Sequence, residues 1–103
     1  MANIIVAFSR PEDGKSIKSI LVRSGYDVAA VCMSGSQALS AAEDLSGGIL
    51  VCGYRFEDMM YDELRQCLST SFEMLVLASP SRWNGVQTQG VVCLPMPLKV
   101  HNL

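Results

Sequence analysis

The 103-residue sequence predicts one α/β domain, a five-stranded parallel sheet with helices packed on both of its faces. Three observations point to it. Short runs rich in β-branched and large aliphatic residues recur about every twenty residues. Two of them, Ile4 to Phe8 and Met74 to Ala78, are apolar without alternation, as strands covered on both sides are. The stretches between the runs carry apolar residues at helical spacing. Strands that alternate with helices form βαβ units with right-handed crossovers, and these stack into three layers.

The first strand is Ile4 to Phe8, and Ser9, Arg10 and Pro11 then open a helix. Ile17, Ile20, Leu21 and Ser24 form one stripe of it, Lys15, Lys18 and Arg23 lie on the other side, and Gly25 stops it. Val28 to Cys32 is the second strand. Ser34 or Ser36 caps a second helix carrying Leu39, Ala42 and Leu45, which Gly47 and Gly48 end. Ile49 to Cys52 is the third strand. A third helix is predicted from about Asp58 to Leu68, with Met60, Leu64, Cys67 and Leu68 on one face. Glu57 and Asp58 sit where its dipole favours acids. Met74 to Ala78 and Val91 to Leu94 are the last two strands. The polar connection from Pro80 to Gln89 holds only a short or irregular helix. Residues 97 to 103 are too few for a fifth covering helix, which is expected to be truncated or absent.

Half of the residues are hydrophobic and 17% are charged, a balance that excludes disorder. The net charge is −2 and the basic residues are scattered, so direct nucleic acid binding by this segment is not expected. No apolar run approaches the length of a membrane span, and Met1-Ala2-Asn3 leads into the first strand without the basic start of a secretory signal. A cytoplasmic protein is expected. Cys32, Cys52, Cys67 and Cys93 are too widely spaced for a CxxC pair and are expected to be buried thiols. His101 stands alone, without a second ligand or catalytic partner at a useful spacing, and no cofactor or metal is expected.

Four stretches carry a more specific likeness: "IIVAFSRP" at 4 to 11, "SILVRSGYDVAAVCMSGSQALSAAEDL" at 19 to 45, "GGILVCGYRF" at 47 to 56 and "CLPMPL" at 93 to 98. In this order and spacing the whole chain resembles the receiver domain of bacterial two-component response regulators. The resemblance implies a flavodoxin-like, doubly wound sheet of strand order 2-1-3-4-5, and residues 1–103 as a receiver-like domain at the N-terminus of a longer regulator.

In that family an acidic pair follows the first strand, a phosphoacceptor Asp ends the third, Ser or Thr ends the fourth, and a Lys before Pro ends the fifth. Aspartyl phosphorylation needs that set: a carboxylate nucleophile, carboxylates to hold Mg²⁺, and a cation to balance charge. Matched residue by residue, the acidic pair falls on Phe8 and Ser9, the acceptor on Gly53, the hydroxyl on Ala78, and the Lys on Met96 before Pro97. None of these positions keeps the family's residue, and Ile49 to Phe56 contains no carboxylate in any register. The chain therefore looks like a pseudo-receiver, without phosphorylation or Mg²⁺ binding.

Other residues carry secondary readings. Arg55 could contact an anion at the mouth of the lost site, or simply be a solvated loop residue. Cys52 and Cys93, read as the ends of neighbouring strands, could form a thiol site, though inert packing is the plainer reading. Glu12 and Asp13 belong to the helix start rather than to the pocket. Trp83 in the polar connection could anchor an interface or fold back as a lid. Receiver domains commonly signal through the face of the fourth helix, fifth strand and fifth helix, where this chain carries Trp83, Val86, Met96 and Leu98. The expected function is a phosphorylation-independent signalling and dimerisation module that controls an output domain or partner protein. Its opening and its Gly-Tyr-Asp-Val turn also resemble transcriptional antiterminators that carry an RNA-binding ANTAR module. A small-molecule or anion sensor at the carboxyl ends of the strands is the alternative. An enzyme is not expected, because no nucleophile, base and orienting group can be assembled.

Overall fold

The computed structural model describes residues 3–78 and 91–95. In chain order the elements are β1 (Asn3–Ala7), α1 (Pro11–Arg23), β2 (Val28–Cys32), α2 (Gly35–Glu43), β3 (Gly48–Gly53), α3 (Tyr61–Cys67), β4 (Phe72–Ala78) and β5 (Val91–Pro95). The strands form one parallel sheet in the order β2-β1-β3-β4-β5. The question of a fifth helix lies outside the described residues, as do Trp83, Val86, Met96, Pro97, Leu98 and His101.

Because β1 and β3 lie inside the sheet, successive side chains alternate between two cores. On one face Ile5, Ala7, Leu50, Cys52, Met74 and Val76 pack with Ala38 and Ala42 of α2 and Tyr61 and Leu64 of α3. On the other face Ile4, Val6, Val51 and Leu77 pack with Ile17 and Leu21 of α1 and with Phe8. Each Val, Leu, Ile, Met or Phe side chain among them taken fully from water contributes about 1.5–3 kcal/mol before ordering costs. The absence of alternation in Ile4 to Phe8 thus has the cause that the sequence suggested.

Helix ends decide the loops. At the end of α1 the Tyr26 N–H donates to the Leu21 carbonyl at 3.0 Å and the Gly25 N–H to that of Val22 at 3.1 Å, a Schellman motif. It requires the left-handed backbone that Gly25 adopts, φ 92°. Ser34, not Ser36, is the N-cap of α2, and its Oγ accepts from the Gln37 N–H at 3.1 Å. Gln37 Oε1 accepts in turn from the Met33 N–H at 2.8 Å, a capping box reaching one residue further back.

Three boundaries differ from expectation. Helix α2 stops at Glu43, so Leu45 packs on the core from the following turn, and Gly48 opens β3 rather than ending a helix. Helix α3 begins at Tyr61, three residues later than predicted, because Asp58 is used elsewhere and Met60 is the residue before the helix, 38% exposed. β4 begins at Phe72, since the exposed Glu73 interrupts the apolar run without interrupting the ladder. The Arg65 guanidinium then ties α3 to β4, donating to the carbonyls of Phe72 at 2.8 Å and Ser69 at 2.9 Å.

Two readings of the cysteines are corrected. Cys67 is exposed at the end of α3, whereas Cys32 and Cys52 are buried. Cys52 and Cys93 are not on neighbouring strands: both pair with Val76 of β4, which separates them. Burial pushes the Cys52 thiol up to about 12, so it stays protonated and inert at neutral pH.

Candidate functional site

At the carboxyl ends of the strands the fold brings together most of the positions singled out in the sequence. β1 ends in Ala7, paired with Cys52, and Gly53 closes β3 opposite Leu77. Ala78 closes β4 opposite Pro95, and Met96 follows beyond the described residues. Phe8 continues the direction of β1, its N–H donating to the Cys32 carbonyl at 3.1 Å.

The Phe8 ring does not line an open mouth. It is 4% exposed and belongs to the core beneath α1. Its Cδ1 would lie only 3.1 Å from a Cβ placed on Gly53. A side chain at residue 53 would press on the ring, which would have to give by a few tenths of an ångström, so the small residue and the large one pack as a pair. The contact between these two strand ends is apolar. Ser9 and Arg10 are exposed beyond it, and Arg10 pairs with Glu12 at 3.6 Å, an exposed pair worth little. Glu12 and Asp13 lie in the first turn of α1, as read from the sequence. Among the described residues no group of three or more His, Cys, Asp and Glu is placed to hold a metal ion.

The loop after β3 is ordered by its own contacts. Arg55 and Met60 form an antiparallel bridge, the Phe56 N–H donates to the Met59 carbonyl at 2.8 Å, and the Tyr61 N–H to that of Tyr54 at 3.1 Å. Phe56 is buried, and the Tyr54 and Tyr61 rings stand 5.1 Å apart at a 35° tilt. This tight hairpin leaves the Arg55 side chain exposed.

Asp58 is the residue that sequence reasoning misplaced. Its carboxylate caps α2, not α3: Oδ1 accepts from the Gly35 N–H at 3.0 Å and Oδ2 from the Ser36 N–H at 2.9 Å. With Ser34 Oγ on Gln37, the first three free N–H groups of α2 are all satisfied. Met59 packs against Gly35, where any side chain would collide with its sulfur. The loop after β3 is thereby latched to the start of α2. No local signal marked this, because Asp58 lies 23 residues from Gly35.

The hydrogen bonds from Ser36 and Gly35 hold the Asp58 carboxyl below its ordinary value of 3.8. A carboxyl lowered by folding stabilises the fold at pH above its unfolded value, and that contribution is lost as pH falls through the folded value. Asp58→Ala is therefore expected to cost about 1 kcal/mol at pH 7. Urea titrations should show the gap between wild type and variant closing as pH drops below 4. An equal gap at neutral and strongly acid pH would show that the carboxylate is not the cap.

No protein-family model and no curated protein sequence matches the chain. Solved structures do match in fold. The chemotaxis protein CheY4 of Vibrio cholerae superposes with a TM-score of 0.76 at 17% identity, over 98% of this chain and 91% of that one. The signal receiver domain of the putative response regulator NarL from Mycobacterium tuberculosis gives 0.80 at 16% identity, over 97% and 87%. A response regulator receiver domain protein from Clostridium thermocellum gives 0.82 at 13%, over 99% and 87%. The fold of this chain is that of the CheY-like receiver domains.

Proposed function

We propose that the chain is a receiver-like module of two-component-type signalling that works without aspartyl phosphorylation, passing its state to an output domain or partner protein. The observation that carries this reading is the packing of Phe8 against Gly53. The receiver fold supplies the signalling framework, while the position that would hold the acceptor carboxylate is empty of side chain and covered by an apolar ring. Phosphoryl transfer to a carboxylate needs a nucleophile, a metal held by further carboxylates, and room for the phosphoryl oxygens. Phe8, Ser9 and Gly53 supply none of these. The latch from Asp58 to α2 supports the same reading, since it holds the loop after β3 in place without any ligand.

In this reading the module binds through surfaces rather than reacts, so it is not an enzyme and has no resident cofactor. It works in the cytoplasm, where two-component regulators act, and no helix among the described residues is long and apolar enough to cross a membrane. Control of transcription or antitermination through a C-terminal output domain, and a homodimer through Trp83, Val86 and Leu98, extend the proposal to positions outside the described residues. The alternative, an anion or small-molecule sensor, would need polar groups converging at the strand ends, and Phe8 takes up that place.

Intact mass spectrometry after incubation with acetyl phosphate and Mg²⁺ tests the reading. No added phosphate is expected, either on the wild type or on Gly53→Asp. The variant restores a nucleophile but no metal-binding pair, and its Cβ presses on the Phe8 ring. A stable phosphorylated species of the wild-type chain would overturn the proposal.

A further inference from the structure

We propose that Met59 makes the latch between the loop after β3 and the start of α2 sensitive to oxidation: a peroxide that converts its thioether to the sulfoxide releases the loop. Four methionines lie among the described residues, and one of them, Met74, is fully buried in the sheet. The other three stand at the carboxyl ends of the strands. Met33 directly precedes the cap of α2 and is 49% exposed, Met60 leads into α3 and is 38% exposed, and Met59 is half-buried. A peroxide in solution therefore reaches these three sulfurs and not that of Met74.

Met59 is the one whose side chain holds the latch. Its Cγ and Sδ lie 2.5 Å, and its Cε 2.9 Å, from the place that a Cβ on Gly35 would take. The thioether fills the notch that the missing side chain leaves on the first turn of α2, and it packs on the core that α2 and α3 share. Hydrogen bonds surround it on the backbone. Asp58, the residue before it, accepts from the Gly35 and Ser36 N–H groups, and its own carbonyl accepts from the Phe56 N–H at 2.8 Å. Met60 takes part through its backbone bridge to Arg55, and its side chain is left to solvent.

In the oxidation a lone pair of the thioether forms the S–O bond as the O–O bond of the peroxide breaks. Sulfur gives up two electrons, and with hydrogen peroxide the other oxygen leaves as water. An apolar group thereby becomes a polar one with a strong acceptor oxygen. Such an oxygen is costly to bury without a donor. The Gly35, Ser36 and Gln37 N–H groups, the free donors of that helical turn, are already taken by Asp58 and Ser34. The sulfoxide is therefore drawn from the notch into water, and its chain neighbour Asp58 is drawn from the helix with it. Sulfoxides at Met33 and Met60 stay in water and disturb no such contact.

Amide hydrogen exchange of the full chain before and after hydrogen peroxide, with peptide mass mapping, tests this. One added oxygen is expected at each of Met33, Met59 and Met60 and none at Met74. Exchange at the Gly35, Ser36 and Phe56 amides should quicken at least about tenfold, while that of Ile5 and Leu50 in the centre of the sheet stays as it was. Methionine sulfoxide reductases A and B with a dithiol should restore both the thioethers and the slow exchange. Met59→Leu keeps an apolar side chain of similar size, and urea unfolding checks that it folds. Under peroxide it should keep slow exchange although Met33 and Met60 are oxidised. Cys67 is exposed too, and the same variant controls for its oxidation. Asp58→Ala, with its latch already open, should show no further quickening at Gly35 and Ser36. Unchanged exchange in a chain oxidised at Met59, or a Met59 that resists while Met33 and Met60 react, would overturn the proposal. So would a Met59→Leu protein that loosens as the wild type does, or further quickening in Asp58→Ala. Phosphate uptake in the mass experiment would refute the proposed function and leave this latch untouched.

Discussion

Phe8→Ala is expected to destabilise the protein by about 3–5 kcal/mol, the range for deleting a buried aromatic ring. Phe8 is 4% exposed, and it closes the end of the core formed by Ile4, Val6, Ile17, Leu21, Val51 and Leu77. Deleting the ring loses its transfer free energy and opens a cavity. Gly53 beside the ring has no side chain to help fill that cavity. A domain of this size is stable by only about 5–15 kcal/mol, so the variant should lose a large share of its stability in urea. Phe8→Leu keeps part of the volume and should lose distinctly less. A Phe8→Ala protein within about 0.5 kcal/mol of wild type would mean that the ring is not part of the core. Opening the space also sharpens the functional test. Phe8→Ala with Gly53→Asp has room for a carboxylate but still no second acid beside it, and should take up no phosphate.

Gly48→Ala should be comparably damaging for a reason of backbone rather than packing. Gly48 has φ 155°, in a region that other residues rarely adopt, and a Cβ there would run into the Asn3 carbonyl oxygen. Asn3 and Gly48 are paired at the start of the β1–β3 ladder, so neither backbone can move without opening the centre of the sheet. Strain of about 1–3 kcal/mol plus the clash puts the expected loss above about 3 kcal/mol. Gly25→Ala is the control: its φ is 92°, yet nothing lies within 4 Å of the added carbon. That variant carries the strain alone, about 1–2 kcal/mol. Chemical denaturation of both proteins checks the difference, and equal losses would show that close approach at Asn3 is not the cause.

The strands were legible because their signal is local. Ile4 to Phe8 and Met74 to Leu77 pack into both cores, and burial on both faces is written as an unbroken apolar run. Helix α1 was legible for the same reason, with Ile17 and Leu21 at helical spacing and Gly25 at the stop. That Phe8, Ser9 and Gly53 are not carboxylates was also visible in the sequence alone, since it needs only residue identities.

The contacts made around these strand ends were not visible. Asp58 read as the start of its own helix because an acid before an apolar stripe looks the same whichever helix it caps, and only the folded loop directs it to Gly35 and Ser36. Cys67 read as buried because helical spacing marks a face, whereas exposure depends on what covers it. The fit of Phe8 to Gly53 joins two residues 45 positions apart by number, and no periodicity reports such a contact. Composition and periodicity determined that this chain folds as alternating strands and helices, and residue identities alone put Phe8 and Gly53, not carboxylates, at the ends of the first and third strands. Tertiary structure decided how they pack, because side chains that fill the same space across the sheet are chosen by packing and not by their neighbours in sequence.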